Sequence, residues 1–477
     1  MRAETREHLF DVAVIGAGVV GCAVARDIGR RGMSCVLVDR ADDVGDATSK
    51  ANTAILHTGF DAEPGTLESR LVARGHQLLS DYAGEAGVAL ERIGALVLAW
   101  DDDQRAALPG LREKALSNGY GAVAVLDAHE AYRREPFLGP GCLGALAIPD
   151  ESIIDPWSTT IALATDAVRS GVDLRLETEV VGVTTVAGVH RLETTTGSLA
   201  ARWVCNVAGL GADRLDNIFG HAEFHVTARR GQLVVFDKMA RQLVSSILLP
   251  VPTQRSKGVL VAPTVYGNVL LGPTAEDLDD RTDTASTADG VEQLRAAGSR
   301  VLPRLLDEEV TSVFAGLRAA TEHRDFQIRA YPEERYLCVG GIRSTGLTAS
   351  MAIAEHVVEL LGSAGEDVVR LDDASGATRF PPLGECQVRP YRDAALIATD
   401  PEYGRIVCHC ELVSAGELRD AFESPVPPRA TGGIRRRTRA MNGRCQGFYC
   451  AATVVSALAA ARGIDPRHLL GLDGGQS

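Results

Sequence analysis

Two groups of residues in this chain have types and spacings suited to moving electrons. Near the N-terminus an apolar run, Asp11 to Ile15, enters Gly16-Ala17-Gly18-Val19-Val20-Gly21. Near the C-terminus Cys408-His409-Cys410 is followed, after thirty-four intervening residues, by Cys445-Gln446-Gly447-Phe448-Tyr449-Cys450. Glycine at 16 allows a tight turn out of a strand, glycine at 18 lets backbone approach a pyrophosphate, and glycine at 21 lets a helix pack close to the sheet. The free N–H groups and positive dipole end of that helix would face the phosphates. Asp39 follows Gly21 by eighteen residues, at the end of the next apolar run, where a carboxylate can hydrogen-bond a ribose hydroxyl. The motif does not by itself separate FAD from NAD. The cysteines form two closely spaced pairs, which can each supply two ligands to one centre while intervening N–H groups point at the sulfurs. A structural Cys₄ zinc site would use the same donors. Cys408, Cys410, Cys445 and Cys450 are the candidate metal ligands.

These groups need a scaffold, and 477 residues is enough for about two or three domains. A net charge of −14 argues against a nucleic-acid partner. Met1 to His8 is polar and lacks the apolar run of a secretory signal. The longest apolar stretch, Val12 to Ala25, is too short to span a bilayer. The expected location is therefore cytoplasmic, with peripheral contact to the inner membrane through a partner left open. Six cysteines are scattered (Cys22, Cys35, Cys142, Cys205, Cys338 and Cys386) and four crowd into the C-terminal segment. That distribution suits a cluster or metal rather than a disulfide framework. Cys22, Cys35 and Cys205 read as small core residues.

Strand and helix signals alternate from the start. Val12 to Ile15, a helix over Val20 to Arg31 closed by Gly32, and Ser34 to Val38 make a βαβ unit. Residues 83–145 and 216–320 hold short apolar runs such as Leu233 to Phe236 and Val269 to Leu271, separated by Gly, Pro or charged turns, and read as a mixed, largely antiparallel sheet. Between them, a helix over Thr159 to Ser170 and a strand over Trp203 to Val207 ending at Gly209 return to the nucleotide-binding domain. The expected architecture is α/β: a Rossmann-like domain (1–82, 146–215 and 321–361) interleaved with a substrate domain (83–145 and 216–320). A Gly-, Asp-, Ser- and Pro-rich linker (362–403) and a small helical C-terminal domain (404–477) follow. A segment of that size normally needs a metal or other staple to fold.

Several segments narrow the family. Gly340-Gly341-Ile342-Arg343-Ser344-Thr345-Gly346-Leu347-Thr348 resembles the flavin-contacting loop of the D-amino-acid-oxidase-like flavoproteins. Ser49-Lys50-Ala51-Asn52-Thr53-Ala54-Ile55-Leu56-His57-Thr58-Gly59 resembles the loop that approaches the flavin in glycerol-3-phosphate dehydrogenases and 2-hydroxyglutarate oxidases. Pro263 to Asn268 and Leu271 to Asp277 look like that group's substrate-domain signature, and Gly316-Leu317-Arg318 matches its substrate-binding arginine. Thr438 to Gly447 is similar to the bacterioferritin-associated-ferredoxin-like module of the anaerobic-type glycerol-3-phosphate dehydrogenase subunit.

The resemblance implies FAD, favoured also because no second G-x-G-x-x-G follows a later strand. It implies cofactor contacts from Gly16, Gly18, Gly21, Asp39 and Arg40, from Ser49, Asn52 and Thr53, and from Gly209, Gly341, Gly346, Leu347 and Thr348. It implies a [2Fe-2S] cluster on the four cysteines, with His409 a bystander. His57 would be the base or hydroxyl-orienting group, and Arg318 and Arg343 would hold an anion. Arg229 and Arg230 are adjacent on a strand, so at most one would face the site, and neither is assigned. Arg435, Arg436, Arg437, Arg439 and Arg444 would offset the charge of the cluster, lie solvated, or dock an acidic partner.

The implied activity is dehydrogenation of a small anionic hydroxy substrate, sn-glycerol 3-phosphate to dihydroxyacetone phosphate. L-2-hydroxyglutarate, another polyol phosphate, or an amino acid or opine are alternative substrates. Electrons would pass through the cluster to an external acceptor, a quinone or a redox protein partner subunit. A non-catalytic flavin and iron–sulfur sensing or binding protein is the alternative of another class.

Overall fold

The computed structural model describes residues 8–252, 258–371 and 376–469. Residues 1–7 of the expected polar N-terminus, 253–257 of the substrate domain, 372–375 of the linker and 470–477 of the C-terminal domain lie outside the described residues.

Leu9–Ile15, Val19–Gly29 and Cys35–Val38 form the strand, helix and strand read from the sequence. The strands are apolar without alternation because helices cover both faces of a parallel sheet. Val12, Ala13, Val14, Val36 and Val38 are all fully buried. The parallel core runs Tyr336–Gly340, Gly197–Asn206, Leu9–Ile15, Cys35–Val38, Asp173–Arg175. Three stretches remote in sequence thus share one sheet. Val180–Val186 and Val189–Thr194 add an antiparallel ribbon, and Gln327–Tyr331 adds an edge strand. The segment Gly340 to Thr348 leads into the helix Gly346–Ser363, packed between Val19–Gly29 and the long helix Leu67–Ala86. Cys22, Cys35 and Cys205 are buried in this core.

In the second sheet Thr227–Phe236 lies next to the edge strand Val310–Ala320. One edge of Thr227–Phe236 meets Glu276–Leu278 and Val269–Gly272, and the other pairs along its length with Val310–Ala320. Leu260–Pro263, Ile247–Pro250, Ala95–Ala99, Gly144–Ile148 and Ala124–Asp127 continue the sheet, antiparallel except where Ile247–Pro250 meets Ala95–Ala99. Gly144–Ile148 crosses the boundary expected at 145/146. Its apolar run is buried on both faces, so periodicity alone could not say which sheet it joins.

The segment expected as a linker is laid along the surface by backbone contacts. Phe380 N–H donates to Ala86 O (2.6 Å), Gln387 Nε2 to Gly87 O (2.8 Å), and Thr378 N–H to Asp166 Oδ1 (2.8 Å). Past it, the hairpin Ile406–Cys408/Val413–Ser414 leads into helices Ala415–Glu423, Thr431–Thr438 and Ala451–Arg462. Ser414 and Glu417 form a reciprocal cap at the first of these helices. Their shared core is small, and two of the four C-terminal cysteines, Cys408 and Cys450, sit inside it. Among the described residues no helix is long and apolar enough to cross a membrane.

Gly21 is required by a close approach: a Cβ there would lie 1.8 Å from the Gly16 carbonyl oxygen. Gly21→Ala is therefore expected to cost about 3 kcal/mol or more by overpacking at a backbone atom that cannot yield. Gly110→Ala, in the helix Asp102–Ser117 with open space around it, should be neutral or stabilising. Thermal unfolding of the two variants side by side checks the contrast; equal midpoints would contradict it.

Candidate active site

The carboxyl ends of the parallel strands open into a cleft of about 730 Å³ that the second sheet roofs. Gly16, Gly18, Gly21, Asp39, Arg40 and Gly209 line one part of it. Ser49, Asn52, Thr53, Gly346 and Leu347 line another, and His57, Arg318 and Arg343 also face it. Gly16 has φ +110°, and a Cβ there would meet Val207 O at 2.5 Å, so only glycine turns the chain at this point. Gly18 brings no side chain to the N-terminus of Val19–Gly29, and Val19 N–H donates to Ser49 Oγ (3.0 Å). Asn52 braces the loop by donating to Ser49 O (2.8 Å) and accepting from Ala54 N–H (2.8 Å). The Asp39 carboxylate accepts from Ala17 N–H (2.6 Å) and Ala41 N–H (2.8 Å). Burial pushes its pKa up, against the pull of those two donors.

Two expected contacts stand outside the cleft lining. Gly341 turns the chain at φ +67° against Gln327. Thr348 is fully buried, and its hydroxyl accepts from His57 N–H (3.0 Å) and donates to Ile55 O (3.4 Å). The cause is where the helix starts: with Gly346 as its first residue, Thr348 already points into the helix packing. Thr348 therefore holds the His57 backbone.

His57 has a partner that the sequence did not reveal. Its Nδ1 lies 3.1 Å from Oε2 of Glu151, which is fully buried. The other carboxylate oxygen accepts from Thr58 N–H (2.7 Å) and Thr58 Oγ1 (2.9 Å). An ionised carboxylate can only accept, so it selects the tautomer with hydrogen on Nδ1 and leaves Nε2 as the basic nitrogen.

Arg318 is half-buried in the cleft wall, and among the described residues no carboxylate pairs with it. Its one bond runs to the Thr274 carbonyl at 3.4 Å. Burial, then the nearby positive charge of Arg229, lowers its pKa to about 10, so it is still charged at neutral pH. Arg229 sits opposite Arg318 in the antiparallel register and lines the same cleft, tied to Asp277 at 2.6 and 2.9 Å. Arg230 turns away into Glu276 and Asp283. Of that adjacent pair, Arg229 is the one that faces the site. Arg343 is half-exposed, with a loose contact of 3.4 Å to Glu68.

The four cysteines converge in the C-terminal domain. The Cys410 thiol neighbours that of Cys445, and the Cys408 thiol that of Cys450. The Tyr449 N–H, with those of Gly447 and Phe448, lowers the Cys445 pKa, while burial raises those of Cys410 and Cys450, the latter to about 11. Among the described residues no three His, Cys, Asp or Glu side chains stand close enough to hold a single metal ion. Two thiol pairs suit a binuclear centre better than one zinc. His409 is exposed.

A family model described as FAD dependent oxidoreductase matches residues 11–360. The chain belongs to that family. A model of the BFD-like [2Fe-2S] binding domain matches residues 406–460. A glycerol 3-phosphate dehydrogenase of Caloramator mitchellensis is 36% identical over 458 residues, covering 96% of this chain and 95% of that protein. A glycerol 3-phosphate oxidase of Mycoplasma pneumoniae is 32% identical over 361 residues, covering 74% of this chain and 94% of that protein. The solved structure of L-alpha-glycerophosphate oxidase from Mycoplasma pneumoniae with FAD bound superposes with a TM-score of 0.71 at 31% identity, covering 74% of this chain and 95% of that one.

As a member of this flavoprotein family the chain has an FAD-binding and a [2Fe-2S]-binding domain, and the residues present fit both groups. The side-chain-free turn at Gly16 and Gly18 and the uncapped helix N-terminus leave backbone donors for a pyrophosphate. The N–H groups around Cys445 are already aimed at sulfur.

The basic run near the cluster does something other than expected. Arg436, Arg437 and Arg439 are buried, and their partners are Asp43 and Glu411. Arg444 pairs with Asp237. These four join the C-terminal domain to the rest of the chain or to its own loops, and they are not a free patch for an acidic partner. Linear charge spacing gave no sign of this, because the acids that meet them lie up to 394 residues away.

Arg318 is a half-buried charge with no carboxylate beside it among the described residues, which should cost stability. Arg318→Met is expected to raise stability by about 1–3 kcal/mol in anion-free buffer. Inorganic phosphate should raise the thermal midpoint of the natural chain and leave that of the variant unmoved; an equal effect on both would remove Arg318 from the anion site.

Proposed function

We propose that this flavoprotein is a dehydrogenase that oxidises sn-glycerol 3-phosphate to dihydroxyacetone phosphate, the electrons leaving through the C-terminal domain to an external quinone or redox protein. The observation that carries the reading is Arg318, a half-buried guanidinium without a carboxylate among the described residues, in the same cleft as a carboxylate-backed histidine. The printed activities of the Caloramator and Mycoplasma relatives support it.

FAD, when bound, supplies the hydride acceptor. The chain's own residues do the rest. Glu151 fixes the His57 ring and balances the charge that forms when Nε2 takes the hydroxyl proton. Thr348 holds the His57 backbone, so the ring is set from two sides. Arg318 and Arg229 present two guanidinium groups to the anionic end of the substrate, one tied by Asp277 and one free to accept the ligand's charge. Arg343, at the cleft wall, is placed to meet the same substrate.

An external acceptor follows from having the cluster domain at all, since oxygen needs none to reach a flavin. The reading places the protein in the cytoplasm, peripheral to the membrane if its acceptor is a quinone.

Anaerobic mixing tests the assignment. Glycerol 3-phosphate should bleach the flavin, while L-2-hydroxyglutarate and amino acids should not. His57→Asn should slow that bleaching about 10²- to 10⁴-fold with little change in apparent affinity. Arg318→Ala should instead weaken affinity. Rapid bleaching by hydroxyglutarate or an amino acid, with none by glycerol 3-phosphate, would sink the proposal. Steady-state turnover should be faster with a quinone analogue or a one-electron dye than with oxygen.

A further inference from the structure

The loop from Asp39 to Asn52 borders the cofactor cleft, and the C-terminal domain reaches it directly at one place and through Trp157 and Tyr266 at a second. At the first, Asp43 is 1% exposed and accepts three hydrogen bonds from the helix Thr431–Thr438. They come from Arg436 Nη2 (2.7 Å) and from Arg437 Nη1 and Nη2 (2.8 Å each). Arg437 also donates to the carbonyls of Val426 (2.8 and 3.0 Å) and Gly433 (3.0 Å), so its guanidinium is pinned inside its own domain. Arg436 bonds Asp46 as well. Burial pushes the Asp43 carboxyl up, but the two arginines outweigh it and hold it below the usual range.

At the second place, Trp157 Nε1 donates to the Lys50 carbonyl (2.9 Å). The Trp157 ring stacks on Tyr266 with centroids 5.5 Å apart. Arg439 lies over Tyr266 at 3.9 Å and near Trp157 at 5.8 Å. It adopts the left-handed conformation (φ +70°) that ends its helix, and its Nε donates to Glu411 Oε2 (3.0 Å). Glu411 directly follows the cluster cysteine Cys410. A chain of contacts thus runs from a cysteine loop to the carbonyl beside Ser49, whose hydroxyl holds the first N–H of the fingerprint helix.

Buried charge makes these contacts specific. Asp43 without its arginines, or Arg439 without Glu411 and its aromatic partners, would be an isolated ion out of water, which costs far more than a lost surface pair. The Mycoplasma oxidase matches nearly all of its own length to about three quarters of this chain. The fold thus stands there without a counterpart to the remaining quarter.

We propose that the C-terminal domain clamps the cofactor loop, with Asp43, Arg436, Arg437, Arg439 and Trp157 as positioning residues for FAD, so that FAD binding and cluster binding are energetically coupled within one chain. The inference rests on the cleft being the FAD site. Coupling of this kind is reciprocal: whatever the docked domain adds to FAD affinity, FAD adds to the docking and loading of the domain.

The test uses the full chain, stripped reversibly of FAD and titrated with FAD by fluorescence quenching. The natural chain must bind FAD; if it does not, the cleft assignment fails before the clamp is tested. Asp43→Asn and Trp157→Phe should each weaken FAD about 5- to 100-fold, the range of typical intersite coupling. Trp157→Phe keeps an aromatic ring and removes only the donor to Lys50, so it decides the matter if Asp43→Asn does not fold. The natural chain without FAD should also lose iron to a chelator several-fold faster than with FAD. Folded variants that bind FAD within twofold of the natural chain, together with iron loss indifferent to FAD, would overturn the clamp.

Discussion

A guanidinium taken out of water costs several kcal/mol unless an anion or a full set of acceptors goes with it. This chain buries several, and the way each is compensated organises the molecule. Arg437 and Arg436 meet Asp43, Arg439 meets Glu411 under two aromatic rings, and Arg230 meets Glu276 and Asp283. Each of these is closed within the protein, and each joins segments distant in sequence. Arg318 is half-buried by the same packing and, among the described residues, has one long bond to a carbonyl and no carboxylate.

Strand register turns that electrostatic difference into a binding site. Thr227–Phe236 and Val310–Ala320 pair so that Arg229 stands opposite Arg318, and both side chains reach the cleft. A slip of one residue would send both to the other face. Across the cleft, the start of the helix Gly346–Ser363 brings Thr348 under His57, and the turn before Ser152–Ile154 brings Glu151 against the ring. The carboxylate-backed histidine and the two facing arginines are therefore held by different strands, and the loop Asp39–Asn52 borders the same cleft. The C-terminal domain is docked on that same loop, so the part of the chain that would receive a flavin and the part that would receive iron and sulfide share a mechanical boundary.

Much of this was legible in the residues. The fingerprint Gly16-x-Gly18-x-x-Gly21 between two apolar runs specified a strand, turn and helix, because local sterics decide which residues can make that turn. The paired cysteines specified a cluster-sized donor set for a similarly local reason. Resemblance in the Ser49–Gly59 and Gly340–Thr348 segments brought His57, Arg318 and Arg343 to one cleft, where the fold places them. The expected contacts at Gly341 and Thr348 did not reach it, since the exact first turn of a helix is set by capping and packing that spacing does not encode. The basic run from Arg435 to Arg444 was legible as charge and illegible as contact. Spacing along a chain tells which charges are neighbours in sequence, and says nothing of an Asp43 nearly four hundred residues away.

By itself, then, the amino-acid order determined the local chemistry: a phosphate-receiving turn, four thiols in two pairs, and a family of hydride-transfer catalysts whose motifs recur here. Only the tertiary structure decided which charges are satisfied. It assigned Glu151 to His57, turned Arg229 toward the cleft and Arg230 away, left Arg318 without an acid, and made three arginines of the C-terminal domain into a seam. The physical reason is that burial sets the energetic weight of a charge, and burial is a property of the assembled fold rather than of any stretch of it.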